Sequence, residues 1–547
     1  MQDLGAAALV RGRGVHLGDL TAVLERRYGD RPAVEDPAPT PGREVAAWRS
    51  FRDLEAVVGR FARVLDDDGV RSGQRVLVAI DNRLDVALLT FALARLGAVA
   101  VPVNHRLAPG EFAAIARAAD AVAAVADPDV VPRLPDGLAV RDAADIGHRA
   151  VDAEPMGPTG GDPRETAVLL ATSGTTGTPK AAALTSRGLL GALGRLAVLP
   201  VGRGGGLRGG RDLVLATLPL THVMGFSVLL GSLSAGVPLV RRSRFDAVET
   251  LELIERRRPN VVVGVPTMYA DLEAAIANAG GDAFDLSSVQ LWISSADAMP
   301  LDRARRFQRY GAIVQVAGRR LGSAAFVDIY GMVELSGPAA VRVLLPGPAG
   351  PLPTPPVAVA LPGVQVRAVD EQGRPVRPGR TGELQWRGGS VLRRYEGQHD
   401  QDSPDAGNGP DEVGWFASGD VGRVWRGGVL QISGRNRDRL KVGGFSVFPA
   451  EVEHELRGAP GVRELAIVGL PDDRSGERVV AAVVPAADFD ADRFLTWAAE
   501  QTAGYRRPRE AVVVDAIPRG NHGKIDRAAT TDLVAAHLDD EPATGSA

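Results

Sequence analysis

The 547-residue chain contains no cysteine. This absence excludes disulfide bonds, thiolate metal sites and a cysteine nucleophile. The eight histidines are scattered, and none of them forms the His-x-x-x-His spacing that is typical of a zinc site. Chemistry that depends on thiols or on clustered histidines is therefore not expected.

The chain also lacks a basic excess and a long apolar run. Its net charge of -4 argues against a general nucleic-acid binder. The apolar stretch from Val86 to Val103 is interrupted by Arg95 and Gly97, so it is too mixed for a membrane span. The first residues carry only a short apolar run and make a poor signal peptide. These features predict a cytoplasmic protein without a membrane or nucleic-acid partner, and a homodimer is one option for its assembly.

The order of apolar patterns predicts an α/β protein. Residues 75–80 have the pattern of a buried strand, residues 84–96 that of a helix, and Val99–Pro102 that of the next strand. Such alternation continues through the first 330 residues and favours parallel sheets covered by helices. Turn residues at 347–356 precede shorter alternating segments that indicate an antiparallel unit. A last unit begins near Arg435 and is large enough to fold alone.

A loop rich in hydroxyl groups and glycine follows a strand-like stretch at residues 169–180. It reads Leu-Leu-Ala-Thr-Ser-Gly-Thr-Thr-Gly-Thr-Pro-Lys, and it ends at Lys180. Backbone N–H groups and hydroxyls in such a loop can bind phosphate oxygens, while the lysine supplies charge. It is not a Walker loop, because Thr-Pro precedes the lysine. A flexible loop without a ligand is the alternative that composition alone leaves open.

The segment Thr172–Lys180 resembles the phosphate-loop signature of the adenylate-forming superfamily. This superfamily includes acyl-CoA synthetases, the adenylation domains of peptide synthetases and firefly-type luciferases. Further motifs of the family follow in the expected order across nearly the whole chain. The nucleotide-binding residues implied in this loop are Thr172, Ser173, Gly174, Thr175, Thr176, Gly177 and Lys180, with Thr172 also in a catalytic role.

The resemblance also implies a domain organisation and a set of ligands. A large N-terminal domain, residues 1–434, would contain two helix-covered sheets and a small β-barrel-like unit. Its subdomains are expected at about 1–200, 201–345 and 346–434. A small, mobile α+β domain would occupy residues 435–547. ATP, Mg²⁺ and coenzyme A are the implied cofactors and co-substrates.

The segment Tyr330-Gly-Met-Val-Glu334 resembles the family's Tyr-Gly-x-Thr-Glu motif. By this resemblance Glu334 is a catalytic residue and the metal ligand, and Tyr330 and Gly331 flank the nucleotide. An isolated glutamate would more often be a solvated surface acid. Val333 stands where the family has a threonine whose hydroxyl approaches the α-phosphate. Loss of that hydrogen bond costs about 1.5–3 kcal/mol. The efficiency of the adenylation step is therefore an open question.

Three later motifs supply the remaining roles. Asp420 resembles the aspartate that binds the ribose hydroxyls, and Arg435 resembles the arginine that contacts ribose or phosphate. Arg437 lies at the hinge position. The loop residues Lys441, Gly443 and Gly444 would line the path of the CoA arm. Lys524 resembles the catalytic lysine that bridges the substrate carboxylate and the α-phosphate during adenylation.

The acyl pocket is harder to infer, because each of its residues taken singly is more often plain core. The segment around His222 resembles the one that gates the acid, and Asp297 resembles a glutamate that flanks adenine in some ligases. Ser295 and Asp297 are the nucleotide-binding candidates of that second segment. The pocket candidates suggest a mainly apolar acid with one or two polar groups, and they are His222, Met224, Gly225, Phe226, Val265, Met268, Ser294, Tyr330 and Met332.

The function that the resemblance implies is an acyl- or aryl-CoA ligase acting on a small, aromatic or otherwise mainly apolar acid. Three alternatives stay open. In the first, which Val333 motivates, the enzyme is weak in adenylation and mainly thioesterifies a supplied acyl-adenylate. In the second, the enzyme loads a carrier protein, although Thr221-His222 occupies the place of the expected Phe-Asp pair and no carrier domain is recognised. In the third, the chain is a catalytically inactive nucleotide-binding partner, and the presence of Glu334 and Lys524 argues against this alternative.

Overall fold

The computed structural model of the chain describes residues 14–36, 47–173, 179–197, 209–281, 283–312, 314–316, 319–346, 357–396, 409–442, 445–472, 474–502, 504–520 and 524–540. The chain divides into two compact units. The first contains residues 1–365 and 386–416, and the second contains residues 366–385 and 417–547. The domain boundaries given above, with a division after residue 434, stay predictions.

The strands are short and follow one another along most of the chain. Their bounds are β1 (Pro32–Asp36), β2 (Ala47–Ser50), β3 (Arg75–Ala79), β4 (Val99–Pro102), β5 (Ala123–Ala126), β6 (Ala139–Asp142), β7 (Thr166–Ser173), β8 (Pro179–Thr185), β9 (Val214–Ala216), β10 (Leu239–Arg241), β11 (Val261–Gly264), β12 (Leu291–Ser295), β13 (Val314–Val316), β14 (Arg319–Leu321), β15 (Ala325–Met332), β16 (Gly337–Leu344), β17 (Ala358–Ala360), β18 (Val364–Val369), β19 (Thr381–Gly388), β20 (Tyr395–Glu396), β21 (Phe416–Val424), β22 (Val429–Arg435), β23 (Leu440–Val442), β24 (Phe445–Val447), β25 (Val462–Asp472), β26 (Gly476–Pro485) and β27 (Glu510–Val513).

Helices separate most of these strands. Their bounds are α1 (Leu20–Tyr28), α2 (Phe51–Asp67), α3 (Asp85–Arg95), α4 (Pro109–Ala119), α5 (Ala143–Arg149), α6 (Ser186–Ala197), α7 (Val223–Ala235), α8 (Ala247–Arg257), α9 (Pro266–Asn278), α10 (Leu301–Tyr310), α11 (Pro449–Glu455), α12 (Ala491–Gln501) and α13 (Arg527–Asp540). The start of α2 illustrates the local chemistry: Ser50 and Asp53 form a reciprocal capping box, which satisfies two backbone N–H groups at that end.

The first unit contains a seven-stranded sheet in the order β20-β8-β7-β4-β3-β5-β6. Its central pairs, β3 with β4 and β3 with β5, are parallel, whereas β7 and β8 pair antiparallel. The apolar face of α4, including Phe112 and Ile115, packs on Leu77 and Val101 of this sheet. Burial of such side chains contributes about 1.5–3 kcal/mol each, and this packing positions the ends of the strands that precede the predicted phosphate loop.

The second sheet of the first unit runs in the order β17-β16-β15-β12-β11-β9-β10-β1-β2. The strands from β15 to β1 pair in parallel, so the carboxyl ends of β11, β12 and β15 lie at one edge. Helices α8, α9 and α10 cover one face over an aromatic core that contains Tyr269, Trp292, Phe307 and Phe326. In α/β proteins ligands bind beyond the carboxyl ends of parallel strands, which makes this edge the candidate site.

The second unit contains the antiparallel pair β21–β22, which belongs to the run β18-β19-β21-β22. It also contains a five-stranded sheet, in which β24, β23, β26 and β25 lie side by side and β27 pairs with β26. Helices α11 and α12 pack on this second sheet through Val452 and Phe494.

The α/β class predicted from the sequence is confirmed. Two helix-covered sheets are present in the first unit, and a smaller α+β part follows near the C-terminus. The antiparallel character predicted after residue 346 is also confirmed for β21 and β22.

Candidate functional site

The two ends of the predicted phosphate loop lie opposite each other on β7 and β8. Thr172 pairs with Lys180 in the antiparallel register of these strands. Lys180 is only 7% exposed, and its Nζ lies 5.5 Å from the centroid of the Tyr395 ring. The backbone therefore brings a hydroxyl residue and a buried ammonium together. Gly174, Thr175, Thr176 and Gly177 lie outside the described residues.

Glu334 lies in a short 3-10 turn, residues 333–335, directly after β15. It is 8% exposed, and its Oε1 accepts a hydrogen bond of 3.0 Å from the Tyr395 hydroxyl. Its backbone carbonyl accepts a second bond, of 2.7 Å, from the Leu392 N–H group. Glu334 is thus held in place by both its side chain and its backbone.

The surroundings of Glu334 fit a magnesium ion that takes further ligands from phosphate. Its carboxylate is buried, and it accepts a hydrogen bond from a neutral hydroxyl, that of Tyr395. Carboxylate oxygens are the ligands that Mg²⁺ prefers, usually one or two of them together with substrate phosphates and water. The described residues contain no cluster of three or more His, Asp or Glu side chains that would bind a metal without such help.

Tyr330 and Gly331 lie at the end of β15. The Tyr330 ring stacks on Trp386, with the ring centroids 5.1 Å apart and an angle of 21° between the planes. A side chain at position 331 would place its Cβ 2.3 Å from the carbonyl oxygen of Gly337, so the close approach of two backbones requires glycine there. Met332 and Val333 follow as partly exposed residues.

Ser294, Ser295 and Asp297 follow the neighbouring strand β12. Ser294 and Ser295 are buried, whereas Asp297 is exposed. Ala296 between them has a φ of +75°, a backbone conformation that costs an L-residue about 1–2 kcal/mol. The segment therefore adopts the turn of a glycine-containing loop without the glycine.

Asp328 is a functional candidate that the sequence interpretation missed. It pairs in register with Ser294, and both Asp328 Oδ1 and Ser294 Oγ are buried without a hydrogen-bond partner among the described residues. Arg342 donates to Asp328 Oδ2 at 2.8 Å. Burial raises the pKa of Asp328 to about 6, although the arginine opposes this shift. Two unsatisfied acceptors at a strand end are typical of a ligand site.

His222 begins α7, and its Nδ1 accepts the Met224 N–H group at 3.3 Å. Gly225 is required by packing, because a Cβ at this position would lie 2.1 Å from the carbonyl oxygen of Pro219. Phe226 is 1% exposed and contacts Phe91, with the ring centroids 6.1 Å apart. The structure therefore gives these three predicted pocket residues a role in the start and packing of α7.

Val265 and Met268 follow β11 at the start of α9. Met268 lines a small cavity, together with Thr217, Gly264 and Tyr269. The Thr217 hydroxyl lies 3.9 Å from the Met268 sulfur. This cavity at the ends of β9 and β11 has a mostly apolar lining, in which Thr217, Thr250 and Tyr269 are the residues with hydroxyl groups.

Within the second unit, Asp420 and Arg435 face each other across β21 and β22. Arg435 Nε lies 2.9 Å from Asp420 Oδ1, and Asp420 is 4% exposed. Arg435 also donates to the Ser418 carbonyl oxygen at 2.9 Å, which fixes the guanidinium. The sequence placed these two residues in separate motifs, and the structure joins them as an ion pair.

The other predicted residues of the second unit are exposed. Arg437 pairs with Asp438 at 3.5 Å and keeps 60% of its side chain exposed. Lys441 is exposed on β23, where its backbone N–H donates to Glu477. Lys524 is exposed just before α13, and its carbonyl oxygen accepts a bond of 2.9 Å from the Gly520 N–H group. Gly443 and Gly444 lie outside the described residues.

The distribution of lysine supports these site residues. Of the 63 lysine and arginine residues, only Lys180, Lys441 and Lys524 are lysines. Lysine presents a compact ammonium and arginine a planar fork, so the two are not equivalent at a ligand. A random distribution would very rarely place all three lysines at the three positions where the motifs require one. In this arginine-rich chain, the three lysines coincide with the three positions at which the sequence motifs predict one.

Comparison with known proteins matches residues 22–396 to the family described as AMP-binding enzyme. Residues 451–524 match the family described as AMP-binding enzyme C-terminal domain. The chain belongs to the AMP-binding enzyme family. The superfamily resemblance inferred from the motifs is thereby confirmed.

The relatives of this chain include proteins named as CoA ligases. The chain is 32% identical to a feruloyl-CoA synthase of Amycolatopsis over 503 residues, which covers 90% of this chain and 96% of the relative. It is 32% identical to an indoleacetate–CoA ligase of Aromatoleum aromaticum over 533 residues, which covers 92% and 97% of the two chains.

Solved structures give the same result for the fold. ATP-bound MatB from Rhodopseudomonas palustris is 26% identical, with a TM-score of 0.78 and coverage of 95% of this chain and 99% of that one. The anthranilate CoA ligase AuaEII, in complex with anthranoyl-AMP, has a TM-score of 0.79 at 23% identity, with coverage of 96% and 98%, and shares the fold. No described helix of the family member is long and apolar enough to cross a membrane.

Proposed function

We propose that the family member is an acyl- or aryl-CoA ligase. A carboxylate oxygen of the acid attacks the α-phosphorus of ATP, and pyrophosphate leaves. The CoA sulfur then attacks the carbonyl carbon of the acyl-adenylate, and AMP leaves. The observation that supports the proposal is the buried set Lys180, Tyr395 and Glu334, because it joins an ammonium to a carboxylate in a chain with CoA-ligase relatives.

Each side chain has a part in this proposal. Lys180 binds phosphate oxygens, and Glu334 holds Mg²⁺, which when bound would neutralise phosphate charge. Asp420 accepts hydrogen bonds from the ribose diol, with Arg435 fixing the carboxylate. Lys524 stabilises the negative charge that shifts between the acid and the α-phosphate. The second unit carries Lys441 for the acceptor stage, and its rotation about Arg437 is part of the proposal.

The acid is proposed to be aromatic or otherwise mainly apolar. The relatives act on ferulate-type and indole acids by name, and the lining of the cavity at Met268 is mainly apolar. A polar substituent on the acid would be accepted by the few hydroxyl groups nearby, such as that of Thr217. A cytoplasmic location and a homodimer remain predictions from the sequence.

Thioester formation tests the proposal. The protein is incubated with Mg-ATP, CoA and a panel of aromatic and aliphatic acids, and acyl-CoA and AMP are quantified by mass spectrometry. We expect equal amounts of both products with at least one aromatic acid. If pyrophosphate is released but no thioester forms with any acid of the panel, CoA is not the acceptor and the proposal is wrong.

A second candidate function is an enzyme that adenylates slowly and thioesterifies readily, and Val333 favours it. The side chain of Val333 provides no hydroxyl next to Glu334, so one hydrogen bond to the α-phosphate is missing. Synthetic acyl-adenylate supplied with CoA measures the second step alone. A rate far above that of the complete reaction would support this second candidate, whereas equal rates would reject it.

A further inference from the structure

Tyr395 belongs to none of the motifs, yet it contacts two predicted site residues at once. It lies on the short strand β20, which pairs antiparallel with β8, and Tyr395 is opposite Ala182. Its side chain is 7% exposed. Its hydroxyl bonds Glu334, and its ring face carries the ammonium of Lys180. One side chain therefore links the phosphate-side cation to the metal-side carboxylate.

We propose that Tyr395 is a positioning residue that holds Glu334 and Lys180 in the geometry required by Mg-ATP. The inference rests on the proposed role of Glu334 as the metal ligand. In this proposal Tyr395 acts through its contacts with Glu334 and Lys180 and not by binding a substrate itself.

The chemistry of a phenol suits this task. A phenol is neutral at physiological pH, since its pKa is about 10. It therefore orients the Glu334 carboxylate by a hydrogen bond and leaves the negative charge available to a cation. An arginine in the same place would form an ion pair and compete with the metal. The contrast appears in the same unit, where the Asp328 carboxylate is paired with Arg342.

The ring of Tyr395 suits the ammonium equally well. A cation within about 6 Å of an aromatic centroid is attracted by the negative face of the ring. Lys180, at 5.5 Å, meets this condition. The ring also excludes water from a lysine that is already buried, so the ammonium keeps a fixed direction at the start of β8.

The segment around Tyr395 is attached to the Glu334 turn by several more bonds. Ser336 Oγ donates to the Ser390 carbonyl oxygen at 2.7 Å, and Leu392 N–H donates to the Glu334 carbonyl oxygen. Arg195, buried on α6, donates to Ser390 Oγ at 2.6 Å. These bonds fix residues 390–395 against residues 334–336. The position of the Tyr395 hydroxyl is therefore set by the backbone on both sides.

The first test compares how strongly Mg²⁺ favours ATP binding in wild type, Tyr395→Phe and Glu334→Gln. Dissociation constants for ATP are measured by calorimetry with Mg²⁺ and with EDTA. We expect the advantage given by Mg²⁺ to fall about tenfold in Tyr395→Phe, and at least as far in Glu334→Gln. Tyr28→Phe is the matched control, because it removes a hydroxyl that donates to the Ser234 carbonyl oxygen at 3.2 Å.

The variants distinguish the proposed role of Glu334 as the metal ligand from the proposed role of Tyr395 as its positioning residue. If Glu334→Gln leaves the magnesium advantage unchanged, the proposed metal ligand is wrong. If Glu334→Gln lowers it and Tyr395→Phe does not, Glu334 stands and the inference about Tyr395 is overturned. Equal losses in Tyr395→Phe and Tyr28→Phe would also overturn it, since a general structural effect would then explain both.

The ring contact has a readout that is independent of activity. Because the chain has only three lysines, protein labelled with ¹³C-lysine gives three lysine side-chain signals, and Lys180→Arg assigns one of them. We expect the Lys180 Hε signal to be shifted upfield by the ring in wild type and in Tyr395→Phe. The shift should disappear in Tyr395→Leu. An unchanged signal in Tyr395→Leu would contradict the contact.

Discussion

Lys180 and Lys524 bring the same ammonium group into opposite surroundings. Lys180 is 7% exposed, lies within a strand and faces an aromatic ring. Lys524 is exposed shortly before a helix of the second unit. Burial of an ammonium is costly unless other groups compensate, so Lys180 is held in place before any ligand binds. The Lys524 side chain remains accessible to water in this structure.

The largest effect is expected from Lys524→Ala. Loss of a group that stabilises charge in a transition state typically lowers the rate by about 10²–10³-fold. Acid-dependent pyrophosphate exchange should fall by this factor. Thioesterification of supplied acyl-adenylate should remain within about twofold. The thermal midpoint should not change, because the side chain is exposed. Equal losses in both half-reactions would contradict the separation of roles between the two lysines.

Asp328→Asn tests whether burial disfavours the charged form of a carboxylate in the first unit, the unit that also contains the buried Lys180. The folded pKa of about 6 lies above the ordinary value of 3.8. The folded state thus binds a proton more tightly, and the unfolding free energy falls as pH rises from about 4 to 6. This loss amounts to about 3 kcal/mol in wild type and is absent in the variant.

Urea unfolding at several pH values between 4 and 7 measures this effect. The difference in unfolding free energy between wild type and Asp328→Asn should shift in favour of the variant as pH rises through this window. Asp136→Asn, at an exposed position, serves as the control. A difference that does not vary with pH would mean that Asp328 titrates in the same range as an ordinary aspartate.

Lys180→Met is expected to raise the KM for ATP about tenfold, because one charge-assisted bond to phosphate is lost. This variant should alter stability only slightly, since methionine fills the space beside the Tyr395 ring. Steady-state kinetics with saturating acid measures KM and kcat separately. A fall in kcat without a change in KM would give Lys180 the role now assigned to Lys524.

The smallest effect is expected from Ala296→Gly. The positive φ of Ala296 favours glycine, but glycine also loses more entropy on folding. The net gain should be about 0.5 kcal/mol. Thermal unfolding of the variant measures it, with Ala298→Gly as the control in the same turn. A loss of stability in Ala296→Gly would mean that the turn is not strained.

The sequence allowed the fold class to be predicted because strands and helices depend on local patterns. The strand at residues 75–79 and the helix at 85–95 were predicted within one residue at each end. Pairing between distant segments was not predictable in this way. The pair β1–β10 joins residues that lie about 205 positions apart in the sequence.

The site residues show the same limit. Motif order pointed to Glu334, but Tyr395 lies 61 positions further along the chain and carries no local signal. Asp328 did carry one, because a charged residue interrupts the buried apolar run Phe326–Ile329. A carboxylate inside a predicted buried strand costs free energy unless it is paired. This cost is the signal by which Asp328 could have been found from the sequence. The roles proposed for the predicted site residues stay predictions.

The most direct test of the account measures the two half-reactions separately on one preparation of wild-type protein. Acid-dependent exchange of labelled pyrophosphate into ATP reports adenylation, and CoA thioester formed from synthetic acyl-adenylate reports the second step. We expect both half-reactions to occur with an aromatic acid, and we expect exchange to require Mg²⁺. Exchange that is absent with every acid, together with no thioester from supplied adenylate, would contradict it.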